Sequence, residues 1–296
     1  MVGQCSDPRL VKFFTNDKLI VHNGEHLFKK YKDPINLLKC VRNAISFTNK
    51  YKFVKPYVLA NSYYLKKDLD LFHFNYEKVF NFGYFPPTNK DYKVAVESTK
   101  KNNIIFIGRY IKWKQPHILI SCLEYINRNS NFYTLEFYGD GPYKKHLIKK
   151  IKASRYYSMI SLNGTLSHDE VIKHFANSEI FIFSSNREEG WGCVLNEALS
   201  CGCVVFANVN AGSSLSLIHD YENGFLYKSR RELKQKIDYY LSLSNDEKIE
   251  IRKKAFETIN EIWNEKIAAE RFLDFIKNYK TWNEKTFISG PMSVVR

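Results

Sequence analysis

The 296-residue chain has no apolar run near the ~20 residues that span a bilayer. Its start, MVGQCSDPRL, lacks the apolar stretch of a secretory signal. The expectation is a soluble cytoplasmic protein that rests, at most, on the inner face of a membrane. The six cysteines, Cys5, Cys40, Cys122, Cys193, Cys201 and Cys203, contain no C-x-x-C, and none has a histidine at metal-ligand spacing. That argues against a zinc ribbon and a dithiol centre and fits small buried thiols in a reducing compartment. With 13 Gly and 8 Pro there is no low-complexity tract, and no internal repeat occurs. Acid is the scarcer charge: 31 Asp and Glu stand against 45 Lys and Arg, a formal +14. Residues 1–103 hold 18 basic and 9 acidic side chains, a net of +9, and residues 104–296 hold 27 and 22, a net of +5. An excess of this kind attracts the phosphates of lipids, nucleotides or nucleic acid. No nucleic-acid-binding module is recognisable, so charge alone supports that partner.

From residue 104 the pattern is regular. Strand-like runs IIFIG (104–108), YTLEFYG (133–139), MISLNG (159–164), EIFIFSS (179–185), CVVFAN (203–208) and GFLY (224–227) alternate with helical spacing at 116–128, 143–153, 168–178, 193–201 and 231–243. Ser167 reads as a helix N-cap with Glu170 three residues on. Short alternating strands and helices predict a parallel sheet covered on both faces, a doubly wound α/β domain. Residues 246–280 read as two helices broken near Asn264, and SGPMSVVR as a frayed tail. The first 103 residues give at most three βα units: KLIVHNG, INLLKCVRNAISF, PYVLANS and KVFNFGYFPP. The polar stretch 88–103 reads as a linker.

Two stretches carry chemistry. In IGRYIKWK (107–114) a strand ends at Gly108, and Arg109 and Lys114 follow in the loop. Ligands of a doubly wound sheet bind beyond the carboxyl ends of its strands, where an Arg fork and a Lys point charge can clamp a diphosphate. In REEGWGCVLNEALSCGC (187–203), Glu189 and Glu197 flank Gly190, Trp191 and Gly192 ahead of an apolar helix. The glycines allow close backbone approach. The N–H groups of Cys193, Val194 and Leu195 would open the helix toward an anion. Glu197 lies off the apolar stripe, where a carboxylate can accept bonds from a diol, and Glu189 would fold back over the same crevice. This is neither a Walker loop nor a dinucleotide fingerprint, since no G-K-[ST] and no G-x-G-x-x-G occur at the required places.

Residues 104–228 resemble the C-terminal domain of retaining GT-B glycosyltransferases, glycosyltransferase family 4 in particular. The E-x7-E marker stands as EGWGCVLNEALSCG, the G-R-x-x-x-x-K motif as Gly108, Arg109 and Lys114, and the G-D-G-P motif as Gly139, Asp140, Gly141 and Pro142. SLNGTLS and Asn223–Leu226 match two further segments. The resemblance implies an α/β, GT-B type fold with a complete Rossmann-like C-terminal domain and a truncated N-terminal α/β domain. The expected boundaries are a shortened acceptor-side domain at 1–100, a nucleotide-sugar domain at 101–245, and helices at 246–296 packing back towards the N-terminal domain.

It also implies roles. Arg109 and Lys114 would neutralise the diphosphate. Glu189 would hold the donor sugar and Glu197 the ribose. Thr165 and Leu166 would lie near the base, N–H groups of Cys193, Val194 and Leu195 near the distal phosphate, and Gly108, Gly139, Asp140, Gly141, Pro142, Gly190, Trp191 and Gly192 would line the donor site. The donor would be a UDP- or GDP-linked sugar and the acceptor a glycan or lipid-linked sugar. Transfer would proceed with retention and without cofactor or metal; separately, the +9 excess of residues 1–103 favours an anionic acceptor or a peripheral contact with an anionic membrane, and no nucleic acid is expected. KLIVHNGEH resembles the segment carrying an N-domain histidine that faces the reaction centre, which makes His22 a candidate with His26 behind it. Gln115 stands where the family commonly has Gly, and Ser216 where an acid is common. The short N-terminal half leaves a second reading open, a non-catalytic or partner-dependent sugar-nucleotide binder.

Overall fold

A computed structural model of the protein describes residues 19–29, 34–129, 132–283 and 286–295. Contacts divide the chain into two units, Met1–Phe85 with Ile262–Arg296, and Pro86–Glu261. The expected boundary near residue 100 thus falls inside the second unit, and the region from 246 onward is shared between the two.

In the first unit β1 (Val21–Gly24), α1 (Pro34–Lys50), β2 (Tyr57–Ala60), α2 (Leu65–Leu71) and β3 (Val79–Asn81) form a parallel sheet in the order β1-β2-β3 with helical crossovers. Period-two alternation sorts its side chains. Val58, Ala60 and Val79 pack with Ala44, Phe47 and Leu69, while Val21, Leu59 and Phe80 face the other way.

The second unit is the doubly wound domain. Its elements are β4 (Lys101–Ile107), α3 (Ile118–Ile126), β5 (Thr134–Tyr138), α4 (Lys144–Lys152), β6 (Ile160–Asn163), α5 (His168–Asn177), β7 (Ser178–Phe183), α6 (Val194–Ser200), β8 (Val204–Asn208), α7 (Ser214–Leu217), β9 (Phe225–Tyr227), α8 (Arg230–Ser242) and α9 (Asn245–Glu257). The six strands run parallel in the order β6-β5-β4-β7-β8-β9. Strand order reverses between β4 and β7, which opens a crevice beyond their carboxyl ends. Ser167 caps α5 in a full capping box with Glu170, as its sequence predicts, and Ser244 does the same for α9 with Glu247.

The stretch read as a linker is instead part of this unit. Residues Lys93–Glu97 form a π-helical turn whose Ala95 and Val96 are buried against Phe256. Arg252 Nη2 donates to the carbonyl oxygens of Ala95 (3.1 Å) and Ser98 (2.8 Å). Lys100 Nζ donates to the carbonyls of Ala176 and Cys201, and burial pushes its pKa down to about 8. Gly202 closes α6 at φ +65°, where a Cβ would lie 2.2 Å from the Ala95 carbonyl oxygen.

The chain then returns to the first unit through α10 (Glu265–Asn278), capped by the Asn264 side chain, which accepts from the Ile267 N–H. The tail is not frayed over residues 286–295. Met292 N donates to the Asn81 carbonyl and Val295 N to that of Val79, so the segment pairs with β3, and Met292 is buried beside Phe275.

Gly202→Ala is expected to lower the melting temperature by roughly 4–12 °C, from about 2–3 kcal/mol of left-handed strain and collision with Ala95. Calorimetry checks this, and an unchanged transition would contradict the close approach.

Candidate functional site

The site lies where β4 and β7 end side by side. After β4 the chain turns at Gly108 (φ +148°), whose N–H donates to the Tyr138 carbonyl at 3.0 Å. The loop closes with a single 3-10 turn, Lys112–Lys114, then left-handed Gln115 at φ +50°. A Gly is at ease in that conformation, whereas Gln adopts it against its Cβ. After β7, Asn186 N donates to the Trp113 carbonyl at 2.9 Å and Ser184 Oγ to the Lys114 carbonyl at 2.6 Å. The two loops are therefore stitched together by backbone and hydroxyl.

That stitching brings two predicted residues into direct contact. Lys114 Nζ pairs with Glu189 Oε2 at 2.7 Å, and their side chains are only 14% and 9% exposed. Ser185 Oγ donates to the same oxygen at 2.8 Å. Ser185 was not singled out from sequence; as a polar residue at the carboxyl end of a buried strand it carries a weak signal of its own. Gly192, at φ +88°, would carry a Cβ 2.5 Å from the Phe183 ring and 3.2 Å from Glu189 Cγ, so only glycine lets the chain pass behind the acid.

Glu197 sits half-buried in α6. Burial raises its pKa above the ordinary carboxylate value, and His168, at the start of α5, opposes that shift with Nε2 3.6 Å from Oε1. His168 is the second residue near the site that sequence reasoning passed over.

The glycines of the G-D-G-P motif act through packing. A Cβ on Gly139 would lie 2.1 Å from the Gly108 carbonyl oxygen, and one on Gly141 2.4 Å from that of Tyr110. Asp140 is exposed. It accepts from the Gly141 N–H (2.6 Å) and pairs with Lys144 at 3.0 Å, and these contacts hold its carboxyl below the usual range. Pro142, Arg109 and Thr165 are exposed, and Leu166 is half-buried in the loop after β6. Gly139 N donates to the Gly164 carbonyl, which joins that loop to the β5 loop.

Two expectations change. Trp191 is buried: its Nε1 donates to Asn196 Oδ1 at 2.9 Å and its carbonyl accepts from Ser213 Oγ at 2.5 Å, so the ring is core and does not face a ligand. Leu195 is not a free N–H donor, because its N–H donates to the Gly192 carbonyl at 2.9 Å and its side chain is buried. α6 itself begins at Val194, with Cys193 half-buried just before it and Gly190 buried upstream.

His22 lies in the first unit, on β1. Its Nδ1 is 3.0 Å from Tyr51 Oη, and its ring packs edge-on to Phe47. His26 is buried with Nδ1 2.8 Å from Ser62 Oγ. Asp68-Leu69-Asp70 also reads as an Asp-x-Asp, with both carboxylates locally engaged. Asp68 Oδ2 accepts from the N–H groups of Leu27 and Phe28, and Asp70 from Lys66 and Tyr76.

The family model for glycosyl transferases group 1 matches residues 88–258, more than half of the chain, and the protein belongs to that family. Two curated relatives align over part of it. The 2-deoxystreptamine N-acetyl-D-glucosaminyltransferase of Niallia circulans is 22% identical over 127 residues, 43% of this chain and 32% of that protein. A sulfoquinovosyl transferase of Arabidopsis thaliana is 30% identical over 130 residues, 43% of this chain and 24% of that protein. The match thus spans a third or less of these relatives' own length. Among solved structures, Anabaena HepE in complex with UDP has a TM-score of 0.68 at 18% identity, covering 88% of this chain and 72% of that one. The fold class is α/β, with GT-B glycosyltransferases as structural neighbours and a Rossmann-like second unit.

Lys114→Ala is expected to cost about 3–5 kcal/mol, because it strands a buried carboxylate, and Lys114→Ala combined with Glu189→Ala is expected to cost less than the sum of the two single changes. Denaturant unfolding of the three variants tests the coupling.

Glu197 behaves oppositely. Its folded pKa is raised, so at pH 7 the charged form is poorly solvated only in the folded state and lowers stability; that loss is recovered as pH falls through the folded pKa. Glu197→Gln is therefore expected to raise the melting temperature of the ligand-free protein at pH 7, with the gain shrinking toward pH 4.5, close to the ordinary carboxylate value. A melting series in pH checks both signs.

Proposed function

We propose that the second unit binds a nucleoside-diphosphate sugar and that the protein transfers the sugar to a glycan or lipid-linked acceptor with retention of configuration. The observation that carries this reading is the Lys114–Glu189–Ser185 cluster at the reversal of strand order, with Glu197 in the next helix. Two acids at such a crevice are suited to polyols, and cations beside them to the diphosphate that joins the polyols. HepE, a fold neighbour, has also been crystallised with UDP-glucose, which makes a UDP-sugar the first donor to try.

Each group has a distinct task in this reading. Glu189, fixed by Lys114 and Ser185, accepts hydroxyl hydrogens of the donor sugar. Glu197 accepts from the ribose, and backbone at Thr165 and Leu166 borders the base. Negative charge builds on the diphosphate as the glycosidic bond breaks. Arg109, exposed beside the crevice, and the Lys114 ammonium answer that charge, helped by backbone N–H groups at Cys193 and Val194. Because Lys114 is already held by Glu189, it needs no reorganisation as the leaving group departs. The acceptor hydroxyl attacks from the face the diphosphate leaves, so the anomeric configuration is kept. The fixed cations take the place a divalent metal would otherwise fill.

Incubation with UDP-glucose, UDP-N-acetylglucosamine or GDP-mannose and an oligosaccharide acceptor is expected to give an anomerically retained product at a rate unaffected by EDTA. Arg109→Ala and Glu189→Gln should each lower kcat by about 10²–10³-fold. Glu197→Gln should raise the donor KM by roughly ten- to a hundredfold through loss of charged hydrogen bonds. Donor binding with neither transfer nor hydrolysis would sink the enzymatic reading and leave a sugar-nucleotide binder.

A further inference from the structure

α3 and α8 lie side by side on one face of the six-stranded sheet and share its core through Cys122, Leu123, Leu233 and Ile237. On the outer side of their seam is a cleft of about 370 Å³, at the small end of the roughly 300–1,000 Å³ that ligand pockets occupy. Tyr125 of α3 lines it, with Arg230, Arg231, Lys234 and Gln235 of α8. Arg109, Lys114, Glu189 and Glu197 take no part, so the cleft is separate from the crevice beyond β4 and β7. At about 100° per residue, positions 230, 231, 234 and 235 share one side of α8, while Leu233, Ile237 and Tyr240 turn inward.

The cleft gathers cations and no acid. Lys234 Nζ lies 5.0 Å from the Tyr125 ring centroid. Among the described residues, neither arginine nor Lys234 pairs with a carboxylate. The neighbouring acids are engaged elsewhere: Asp238 accepts from the Tyr125 hydroxyl, and Glu232 from the Lys228 N–H. Folding does not ask for this arrangement. The first turn of a helix favours acids, because its N–H groups carry partial positive charge, yet α8 opens with Arg230 and Arg231. Its N-cap is already supplied by Ser229, which accepts the Glu232 N–H. Burial, then the charges of Arg230, His146 and Lys150, lower the pKa of His117 at the start of α3, so the positive field runs along the seam. Near Cys122 and Arg230, the hydroxyl of Tyr227 is buried without a hydrogen-bond partner, an unspent donor beneath the cations.

We propose that this cleft binds a compact oligophosphate, with Arg230 and Arg231 as forks on the phosphate oxygens, Lys234 as a point charge and Gln235 as a further donor. A single carboxylate would answer one of the three cations, whereas linked phosphates carry several negative charges over a short span. A polynucleotide needs cations along its length, and Glu232 and Asp238 interrupt the row on α8. Free inorganic oligophosphate and the phosphate tail of a nucleotide offer the same chemistry. The Tyr125 ring separates them, because only a nucleotide has a base to stack on it. Binding here requires neither sugar donor nor acceptor, so it stands apart from the transfer reading.

Isothermal titration of the 296-residue chain with inorganic tripolyphosphate tests it at about 0.1 M salt, where distant charges are screened. One site is expected that Arg230→Gln with Arg231→Gln weakens at least about thirtyfold, and Lys234→Gln about tenfold, through loss of charged hydrogen bonds. Arg109→Ala in the crevice should leave that site in place. So should Lys52→Ser with Lys55→Ser, which removes the same charge from the first unit. The ligand-free Arg230/Arg231 variant should melt no lower than the parent, since it loses cations from a helix start. Uridine and adenosine triphosphate distinguish the sources. Affinity no higher than that of tripolyphosphate means that the phosphates alone are read, and tighter binding that Tyr125→Leu removes means a nucleotide. Several outcomes would overturn the proposal: no site at about 1 mM tripolyphosphate, a site that Arg109→Ala abolishes and the Arg230/Arg231 variant keeps, equal loss in the Lys52/Lys55 variant, or an oligonucleotide that binds more tightly than tripolyphosphate and depends equally on Lys149 and Lys150.

Discussion

At the reversal of the six-stranded sheet a lysine ammonium and a glutamate carboxylate meet at 2.7 Å, largely out of water. Neither charge is tolerable there without the other, because a lone buried ion costs several kcal/mol in lost hydration. The pair therefore dictates where both loops go. The segment after β4 must lie against the segment after β7, and the Asn186 N–H to Trp113 and the Ser184 hydroxyl to Lys114 hold it there. Ser185 completes the solvation that Glu189 lost. The contact exists only because β4 and β7 are neighbours, a consequence of the crossover that sends β5 and β6 one way and β8 and β9 the other.

Close packing of loop backbones follows from the same geometry. Gly139 and Gly141 bring the β5 loop within contact of the carbonyls of Gly108 and Tyr110, at distances no Cβ could occupy. The rim of the crevice is thus backbone against backbone, with few side chains between. Such a rim keeps its shape when a ligand arrives, which matters for groups whose chemistry depends on fixed position more than on reactivity.

Much of this was legible from residue order. Alternating apolar runs predicted every strand of the second unit, and Ser167 with Glu170 predicted the start of α5, because these signals are local. What escaped reading is long-range. Residues 88–103 look polar in line, yet Ala95 and Val96 are buried and their carbonyl neighbourhood is held by Arg252, more than a hundred and fifty residues away. The last residues look like a frayed end because β3, which they pair with, is more than two hundred residues away. Trp191 sits among site residues in sequence, but its indole is tied to Asn196 and it packs as core. Adjacency along the chain says which loop a residue belongs to, and only the packing says which side of the loop it faces. The partnership of Lys114 with Glu189 has the same character: each was recognisable alone, and their contact was not.

The two acids of the site differ in a way that bears on what the crevice is for. Glu189 has its charge answered inside the protein, by Lys114 and Ser185. Glu197 does not: burial raises its pKa, and the nearest cation source is a partly exposed histidine at 3.6 Å. A carboxylate kept half-buried with so little compensation lowers the stability of the empty protein. Folding alone gives no reason to retain it, since glutamine would fit the same space without the charge. In the function proposed above, adjacent hydroxyl groups of the bound donor would supply the hydrogen bonds that the helix around Glu197 withholds.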